Sequence, residues 1–331
     1  MAFLGEFELI ERFFTRPARR AVLGGGDDCA LLAPAQGMHL AVSTDMLVEG
    51  RHFLSTVAPD RLGHKALAVN LSDLAACGAR PVAFTLALAL PAANDTFLDA
   101  FSRGLHAIAD RYGCELVGGD TTRGPLTISI TVFGEVPAGT ALLRSGARAG
   151  DDLYVSGVLG DARLALEAFR GNVELQGEAF ARVRRAMEEP RPRVELGIAL
   201  RGVASSAIDV SDGLTGDLGH IVRRSGVAAV VEVDALPLSA DLAAQPEVWR
   251  RECLLAGGDD YELVFTAPPD RRVAVAAAAQ GAGTPVTRIG RIEAGEGLRF
   301  IDASGHAVIG PTSSFDHFRS ASTASTEPPA R

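Results

Sequence analysis

DRLGHKALAVNLSDLAACGARPVAFTLALALP, residues 60–91, holds one complete α/β unit and decides the class of fold. Its first twenty residues predict a helix, because Leu62, Ala66 and Val69 recur at helical spacing and a glycine follows as a stop signal. Residues 82–91 predict a buried strand closed by proline. The two elements together indicate a sheet with helices packed on it.

The same alternation continues on both sides of this unit. A short amphipathic helix is predicted at 5–15 and a strand at 38–47. The clearest helix covers 94–113, with Asn94 or Asp95 as its cap and a glycine at its end. Further strands are predicted at CELVGGD, at 126–136, directly after RSGARAGDD, at SAIDV, VAAVVEV and YELVFT, and near 285–302. Further helices are predicted at 161–170, from about 214, and near 271–280.

The pattern restarts with Gly-rich turns in RSGARAGDDLYVSG, residues 144–157, which predicts a domain boundary there. We therefore expect an N-terminal α/β domain at 1–143 and a C-terminal α+β domain at 144–318. Residues 319–331 lack apolar content and are expected to be disordered. The fold class is α/β (α+β) with two domains.

Composition excludes several functions. A net charge of −9 over 331 residues argues against a general nucleic-acid surface, which needs a basic face. The four cysteines form no C-x-x-C pair, which argues against a zinc site and a disulfide framework. No signal peptide and no run of about 18 apolar residues is evident, so we expect a cytoplasmic protein without a membrane partner.

Six stretches place aspartates beside Gly, Ser or Thr at the ends of apolar elements. Any single one of these aspartates could be a helix cap or a turn residue. Six in one chain, with little His or Cys clustering, favour a site for Mg²⁺, which prefers hard oxygen ligands. The stretches are GGGDDCALL (24–32), STDMLVEGRHF (43–53), NLSDLAACGA (70–79), GGDTTRGP (118–125), DVSDGLTGDLGH (209–220) and GGDDYEL (257–263).

Glycines beside the aspartates let backbone N–H groups approach phosphate closely, so the stretches point to polyphosphate chemistry. The usual nucleotide motifs G-x-x-x-x-G-K-[ST] and G-x-G-x-x-G are absent, as is the protein-kinase set. Any use of ATP must therefore come from a less common fold.

These motifs, together with the RSGARAGD junction, resemble the thiamine-monophosphate kinase family in content and in order over about residues 4–318. The wider superfamily includes aminoimidazole ribonucleotide synthetase, selenophosphate synthetase and a hydrogenase-maturation protein, which all use ATP. The resemblance implies an aminoimidazole ribonucleotide synthetase-like fold, with an N-terminal domain that forms a shared barrel in a homodimer. The C-terminal domain would close over the nucleotide.

The implied enzyme is a phosphotransferase with a phosphate acceptor, which makes thiamine diphosphate directly from thiamine monophosphate and ATP. Its implied cofactors are several Mg²⁺ ions, with a monovalent cation as a further candidate. The implied metal ligands are Asp28, Ser43, Thr44, Asp45, Asp73, Asp120, Asp209 and Asp212. Contacts to ATP are implied for Gly119, Asp120, Arg144 and Ser211, contacts to thiamine monophosphate for His52, Asp259 and Phe315, and catalytic roles for Asp45, Asp120, Asp212 and Arg144.

Two of these positions depart from the family pattern, because family members often have Glu at the position of Asp259 and Tyr at that of Phe315. His52 and Arg144 also have an ordinary alternative as surface residues. His220 is left outside the predicted site. Asp27, Asp217 and Asp260 are not assigned as metal ligands, because like charges this close rarely all bind metal directly, and Asp27 has the alternative of capping or orienting its loop.

Three other functions compete with the kinase. Another ATP-using enzyme of the superfamily, of the aminoimidazole ribonucleotide or selenophosphate synthetase type, would differ in STDMLVEGRHF and GGDDYEL. A nucleotide cyclase is suggested by GGDD alone. A non-catalytic divalent-metal-binding protein would bind metal without ATP turnover, although no EF-hand loop is present.

Overall fold

The computed structural model describes residues 6–25 and 28–309. Asp27, Phe315 and the predicted disordered tail at 319–331 lie outside the described residues.

Four strands in the first half of the chain form one mixed sheet with the order β1-β4-β2-β3. β1 and β2 both run antiparallel to β4, whereas β2 and β3 are parallel. β1 and β3 are therefore the two edges of this sheet. The strands are β1 (Met38–Val48), β2 (Arg80–Leu90), β3 (Glu115–Arg123) and β4 (Thr127–Pro137).

The second half contains a six-stranded sheet with the order β10-β7-β9-β5-β8-β6. Its pairs are antiparallel except β10 with β7. β6 is an edge strand, and its last residue, Asp209, is one of the predicted site residues. The strands are β5 (Asp152–Ser156), β6 (Ser206–Asp209), β7 (Ala228–Glu232), β8 (Leu263–Ala267), β9 (Val286–Glu293) and β10 (Gly297–Ile301).

Ten α-helices accompany these sheets in the described part of the chain. They are α1 (Glu6–Phe13), α2 (Pro59–Ala76), α3 (Asp95–Tyr112), α4 (Asp161–Phe169), α5 (Gly177–Glu188), α6 (Val194–Ala199), α7 (Leu214–Ser225), α8 (Ala240–Ala243), α9 (Glu247–Ala256) and α10 (Arg272–Gly281). Two 3-10 turns lie at Val233–Ala235 and Pro269–Arg271.

The predicted ends of α3 are confirmed in detail. Asn94 caps the helix by accepting a hydrogen bond from the Phe97 N–H at 3.0 Å. Gly113 ends it in the left-handed conformation, at φ 59°. The sequence did not predict α5, α6, α8 or α9.

None of the described helices is long and apolar enough to cross a membrane.

α2 is the element that joins the two halves. It packs against α3 in the first half and against α6, α5 and β6 of the second. Gly197 of α6 comes so close that a Cβ there would lie 2.0 Å from the Ala75 carbonyl oxygen. The first hydrophobic core therefore continues from Phe84 and Phe101 to Leu196 and Phe265, and α2 presents its remaining face to the predicted site. The predicted boundary between residues 143 and 144 lies between β4 and β5 and stays a prediction.

Candidate active site

Asp45 lies on edge strand β1 and faces α2. Its backbone N–H donates to Asn70 Oδ1 at 3.0 Å, and the buried Asn70 is fixed in turn by donating to the Ala66 carbonyl at 3.0 Å. Burial, and then the charges of Asp73 and Asp212, raise the pKa of Asp45 to about 7. Asp45 is thus held beside two more of the predicted metal ligands.

Asp73 lies on the same face of α2 as Asn70, as their spacing predicts. Ser43 Oγ donates to Asp73 Oδ2 at 2.5 Å. Burial raises the pKa of Asp73, while the Ser43 hydrogen bond and the positive charge of Arg144 act in the opposite direction. Arg144 therefore acts on the acidic cluster although its own backbone lies in the segment between the two sheets.

Asp209 brings the second sheet into this cluster. It ends β6, is 4% exposed, and accepts a hydrogen bond from Ser72 Oγ of α2 at 2.7 Å. Burial and the neighbouring Asp73 raise its pKa. A carboxylate of each half of the chain is therefore held by the same helix.

The loop after β6 is organised by Asp217, which the sequence left outside the site. Asp217 Oδ2 accepts hydrogen bonds from the backbone N–H groups of Ser211, Asp212 and Gly213 at 3.0–3.1 Å. Burial raises the pKa of Asp217 to about 7, against the effect of these hydrogen bonds. Asp217 fixes the backbone that presents Ser211 and Asp212 to the cavity.

The GGDDYE loop lies along the same segment. The Asp259 N–H donates to the Ser211 carbonyl and the Tyr261 N–H to the Val210 carbonyl, both at 2.8 Å. Asp259 and Tyr261 have φ values of 70° and 52°, which are rare for residues other than glycine. Such backbone strain, about 1–3 kcal/mol per residue, is concentrated at functional sites.

The Asp259 carboxylate is engaged by two side chains. Lys65 Nζ of α2 donates to Oδ2 at 2.6 Å, and Tyr261 Oη donates to Oδ1 at 3.0 Å. Lys65 is only 2% exposed. The predicted partner of a cationic ring is thus already paired with a cation of the protein.

Asp260 points elsewhere. Both of its carboxylate oxygens accept the Gly160 N–H at 3.0 Å, at the start of α4. The Asp260 carboxylate therefore binds the N-terminus of a helix.

A cavity of about 810 Å³ joins these elements. Six of the predicted site residues line it: Thr44, Asp45, His52, Ser211, Asp212 and Asp259. Another part of its wall is apolar and is formed by the loop after β1 together with α4 and α5: Leu54, Val57, Leu166, Phe169 and Met187. The cavity can therefore accommodate a ligand with one ionic and one apolar part.

His52 is oriented by its own turn, because its Nδ1 accepts the Val48 N–H at 3.0 Å. This hydrogen bond requires Nδ1 to be unprotonated and leaves Nε2 as the position for a proton. His52 therefore combines a local role in the turn with a place on the cavity wall.

Gly119 and Asp120 lie at the other edge of the first sheet. Asp45, Ile130, Leu86 and Gly119 follow one another across β1, β4, β2 and β3. Three strand spacings place Gly119 about 14 Å from Asp45.

Asp120 also faces the opposite side of the sheet. It is exposed and continues the neighbouring row of Met46, Ser129 and Ala87. Thr44 shares that face, and its hydroxyl lies 2.8 Å from the Thr131 hydroxyl. A single chain therefore does not bring Asp120 to the cluster around Asp45.

Asp28 is exposed on the loop before β1. This loop runs beside β3, where a Cβ at Gly25 would lie 3.5 Å from the Val117 carbonyl oxygen. Asp28 thus follows, three residues later, a position that lies beside β3, the strand of Asp120.

Within residues 6–25 and 28–309, no group of three or more His, Cys, Asp or Glu side chains is arranged so that it could hold a metal ion. The chemistry of the donors nevertheless fits Mg²⁺, because carboxylate and hydroxyl oxygens predominate and several carboxylates are crowded. Asp73 and Asp212 each raise the pKa of Asp45, a repulsion that a divalent cation would offset.

Lys65 is the site residue that sequence reasoning missed. The signal that could have found it is its rarity, since the 331 residues contain no other lysine.

Comparison with known proteins identifies the family. Residues 26–136 match the AIR synthase related protein N-terminal domain, and residues 148–303 match the AIR synthase related protein C-terminal domain. Thiamine-monophosphate kinase of Salmonella typhimurium is 47% identical over 321 residues, which cover 95% of this chain and 98% of that protein. The chain belongs to the thiamine-monophosphate kinase family. The family member of Escherichia coli strain K12 is 46% identical with the same coverage.

Solved structures agree with this membership. The crystal structure of thiamine-monophosphate kinase from Stenotrophomonas maltophilia K279a has a TM-score of 0.81 at 46% identity, and the match covers 87% of this chain and 92% of that one. AaThiL complexed with AMPPCP and TMP has a TM-score of 0.75 at 32% identity, with coverages of 86% and 89%. The hydrogenase maturation protein HypE in complex with ATP shares the fold at 21% identity, with a TM-score of 0.75 and coverages of 91% and 92%.

Proposed function

We propose that this thiamine-monophosphate kinase family member transfers the γ-phosphoryl group of ATP to thiamine monophosphate, which yields thiamine diphosphate and ADP. The observation that carries this proposal is the cavity that combines the carboxylates of Asp45 and Asp212 with an apolar wall. The names of the relatives support the same substrates, as does the AaThiL complex with AMPPCP and TMP.

The reaction needs no base from the protein. The acceptor oxygen belongs to a phosphate that is largely ionised at neutral pH. This oxygen forms a bond to the γ-phosphorus, the bond from that phosphorus to the β–γ bridging oxygen breaks, and ADP leaves with the electron pair. The protein must instead position two anions in line and reduce their repulsion.

Several Mg²⁺ ions would be held by the carboxylates around Asp45, Asp73, Asp209 and Asp212, with the Ser43 hydroxyl oxygen. Thr44 would contribute from the face of β1 that Asp120 shares. When bound, the ions would supply positive charge that offsets the repulsion between the phosphates. Arg144 adds a fixed positive charge at the same cluster, because its charge opposes the rise in the pKa of Asp73 that burial causes. Ser211 would contact the nucleotide from the loop whose backbone N–H groups bind Asp217.

A homodimer would account for the positions of Asp28, Gly119 and Asp120. Edge strand β1 exposes Leu40, Val42 and Met46, which are 42–55% accessible, on the face that Asp120 shares. A second copy placed against this face would cover the apolar side chains. If its β3 edge met β1, the partner's Asp120 would approach Asp45, and each active site would combine two chains.

The test is an assay with purified protein, Mg²⁺ and ATP. Thiamine monophosphate, thiamine and an aminoimidazole ribonucleotide precursor are offered separately, and the products are separated by chromatography. We expect thiamine diphosphate from thiamine monophosphate alone. Turnover of the precursor instead would favour the synthetase alternative, and metal binding without any ATP turnover would favour the non-catalytic one.

A further inference from the structure

Lys65 stands apart from every other basic residue of the chain. It is the only lysine, whereas arginine occurs 31 times. Exposed arginine and lysine can usually replace each other, but a site that requires a compact, rotatable ammonium group cannot accept the planar guanidinium. Because arginine occupies all the remaining Lys or Arg positions of the chain, the lysine at 65 indicates a specific chemical requirement there.

Its surroundings agree with a functional requirement. Lys65 is 2% exposed and lines the cavity, where its ammonium group lies 2.6 Å from Asp259 Oδ2. Burying a lysine is unfavourable unless its charge is paired. An apolar side chain on the buried face of α2 would have a smaller desolvation penalty. Asp259 provides the pairing, but it accepts only one of the three N–H donors that an ammonium group carries.

The position of Lys65 on α2 relates it to the acidic cluster. Lys65, Val69 and Asp73 follow one another at intervals of four residues, so they share one helix face and span about 12 Å along the axis. Asp73 belongs to the predicted metal cluster, and Lys65 and Val69 line the cavity. Along this face, the N–H donors of Lys65 for an anionic ligand lie at the opposite end from the Asp73 carboxylate.

The Lys65–Asp259 pair also argues against Asp259 as the direct partner of a cationic ring. A carboxylate that is neutralised by a buried ammonium group gains little from a cationic ring. An incoming phosphate can instead take the remaining donors of Lys65 while Asp259 keeps the ammonium group in place.

We propose that Lys65 binds the phosphate group of the acceptor, a phosphate monoester, and that Asp259 is a positioning residue that orients Lys65. This inference rests on the proposed kinase function and assigns the residue that recognises the charged end of the acceptor.

The test compares two ligands that differ by the phosphate alone. Binding of thiamine monophosphate and of thiamine is measured by calorimetry in wild type and Lys65→Met, with Mg²⁺ and AMPPCP present at saturation. Methionine is unbranched like lysine, is shorter by one heavy atom and removes the charge. We expect Lys65→Met to weaken the binding of thiamine monophosphate about 10- to 100-fold, because a hydrogen bond to a charged group is lost. The affinity for thiamine should stay unchanged. Equal weakening of both ligands would overturn the proposal, because Lys65 would then only support the Asp259 loop.

Arg163 provides the matched control. It also lines the cavity, but its guanidinium group is paired with Glu167 and Glu252. We expect Arg163→Met to leave the ratio of the two affinities unchanged, and a loss of that ratio comparable to Lys65→Met would contradict a specific role for Lys65.

A measurement on the wild-type protein covers the case in which Lys65→Met does not fold. Labelling with ¹³C-lysine gives a single lysine spin system, because the chain contains one lysine. Thiamine monophosphate should shift its Cε–Hε signal, and thiamine should not reproduce that shift. An unchanged signal at saturation with thiamine monophosphate would overturn the proposal.

The wild-type turnover assay separates the two hypotheses. If the wild type makes thiamine diphosphate while thiamine monophosphate leaves the lysine signal unchanged, the kinase function stands and the role of Lys65 is wrong. If the wild type neither binds nor phosphorylates thiamine monophosphate, the proposed function itself fails.

Discussion

Asp259 and Asp260 are adjacent in sequence and belong to different parts of the molecule. Asp259 reaches the cavity because its backbone is left-handed, at φ 70°, and because Lys65 and Tyr261 hold its carboxylate. Asp260 turns away to bind the N–H of Gly160. At the residue scale, the direction of the side chain decides the role.

Gly119 offers a test of the backbone at this scale. Its φ is 153°, and a Cβ there would lie 1.9 Å from the Leu86 carbonyl oxygen. We expect Gly119→Ala to lower the free energy of unfolding by about 3 kcal/mol, because β3 would have to move away from β2. Urea denaturation checks this. Gly118→Ala is the control, since no atom lies within 4 Å of its Cβ position, and it should stay within about 0.5 kcal/mol of wild type.

The residues of the site were predictable only in part. Asp45, Asp73, Asp209 and Asp212 belong to motifs whose residue types alone indicate oxygen-ligand chemistry. The contact between Lys65 and Asp259 was not predictable, because it joins positions 194 residues apart and arises from the docking of α2 against the GGDDYE loop. The separation of Asp120 from Asp45 also depends on strand order, which the motifs do not encode.

Helix α2 illustrates what an element contributes. Its Asn70 fixes Asp45, its Ser72 binds Asp209 and its Lys65 binds Asp259. One rigid helix thus sets the relative positions of groups from both sheets.

Secondary structure was predicted well where apolar periodicity is strong, as in α2 and α3. Helix α5 was missed because its sequence, GEAFARVRRAME, is mostly polar, and only Val183, Met187 and Glu188 are buried in it. Its formation depends on packing against α4 and α2, which a local pattern does not show.

A second element-scale prediction concerns pH. Asp152 of β5 accepts hydrogen bonds from Arg272 of α10 and Arg288 of β9. Hydrogen bonding to Arg272, followed by the charge of that residue, holds the pKa of Asp152 below its ordinary value of 3.8. Its contribution to stability is therefore fully present above about pH 4 and is lost as the pH falls through the lowered pKa.

We expect Asp152→Asn to be less stable than wild type at pH 7, with the difference narrowing toward pH 3. Urea denaturation at several pH values measures it. Asp302→Asn is the comparison, because the pKa of Asp302 is also lowered, but by the backbone N–H groups of His306 and Ser304 on one exposed turn, which an asparagine oxygen can still accept; its effect should be smaller. A difference that stays constant between pH 7 and pH 3 would contradict the role of this ion pair.

At the scale of the whole molecule, the homodimer proposed above would cover the exposed apolar side chains of edge strand β1. We expect Val42→Glu to convert a dimer into a monomer, because a charge would enter the β1 interface. Sedimentation velocity checks the mass. Val273→Glu on α10 is the control, since Val273 is 83% exposed away from β1 and should leave the dimer intact. A dimeric Val42→Glu variant would place the interface elsewhere.

The proposed active site, with residues from two chains, makes a further prediction. Asp45→Asn and Asp120→Asn should each lose about 100-fold or more in kcat. Co-expression of the two variants should restore roughly one quarter of wild-type activity, because half of the dimers are mixed and each mixed dimer has one intact site. Activity that stays at the level of the single variants would place both aspartates in the site of one chain.

Because Lys65 is the only lysine and is buried, cleavage at this residue can report local unfolding of the protein. A protease that cuts only after lysine has one target, in the middle of α2, and can produce only the fragments 1–65 and 66–331. The target is hidden at 2% exposure in the folded state, so the rate of cutting measures how often this helix becomes accessible. Ligands that bind between the two sheets should slow the cut, and the delay would report their binding without any label or assay of turnover.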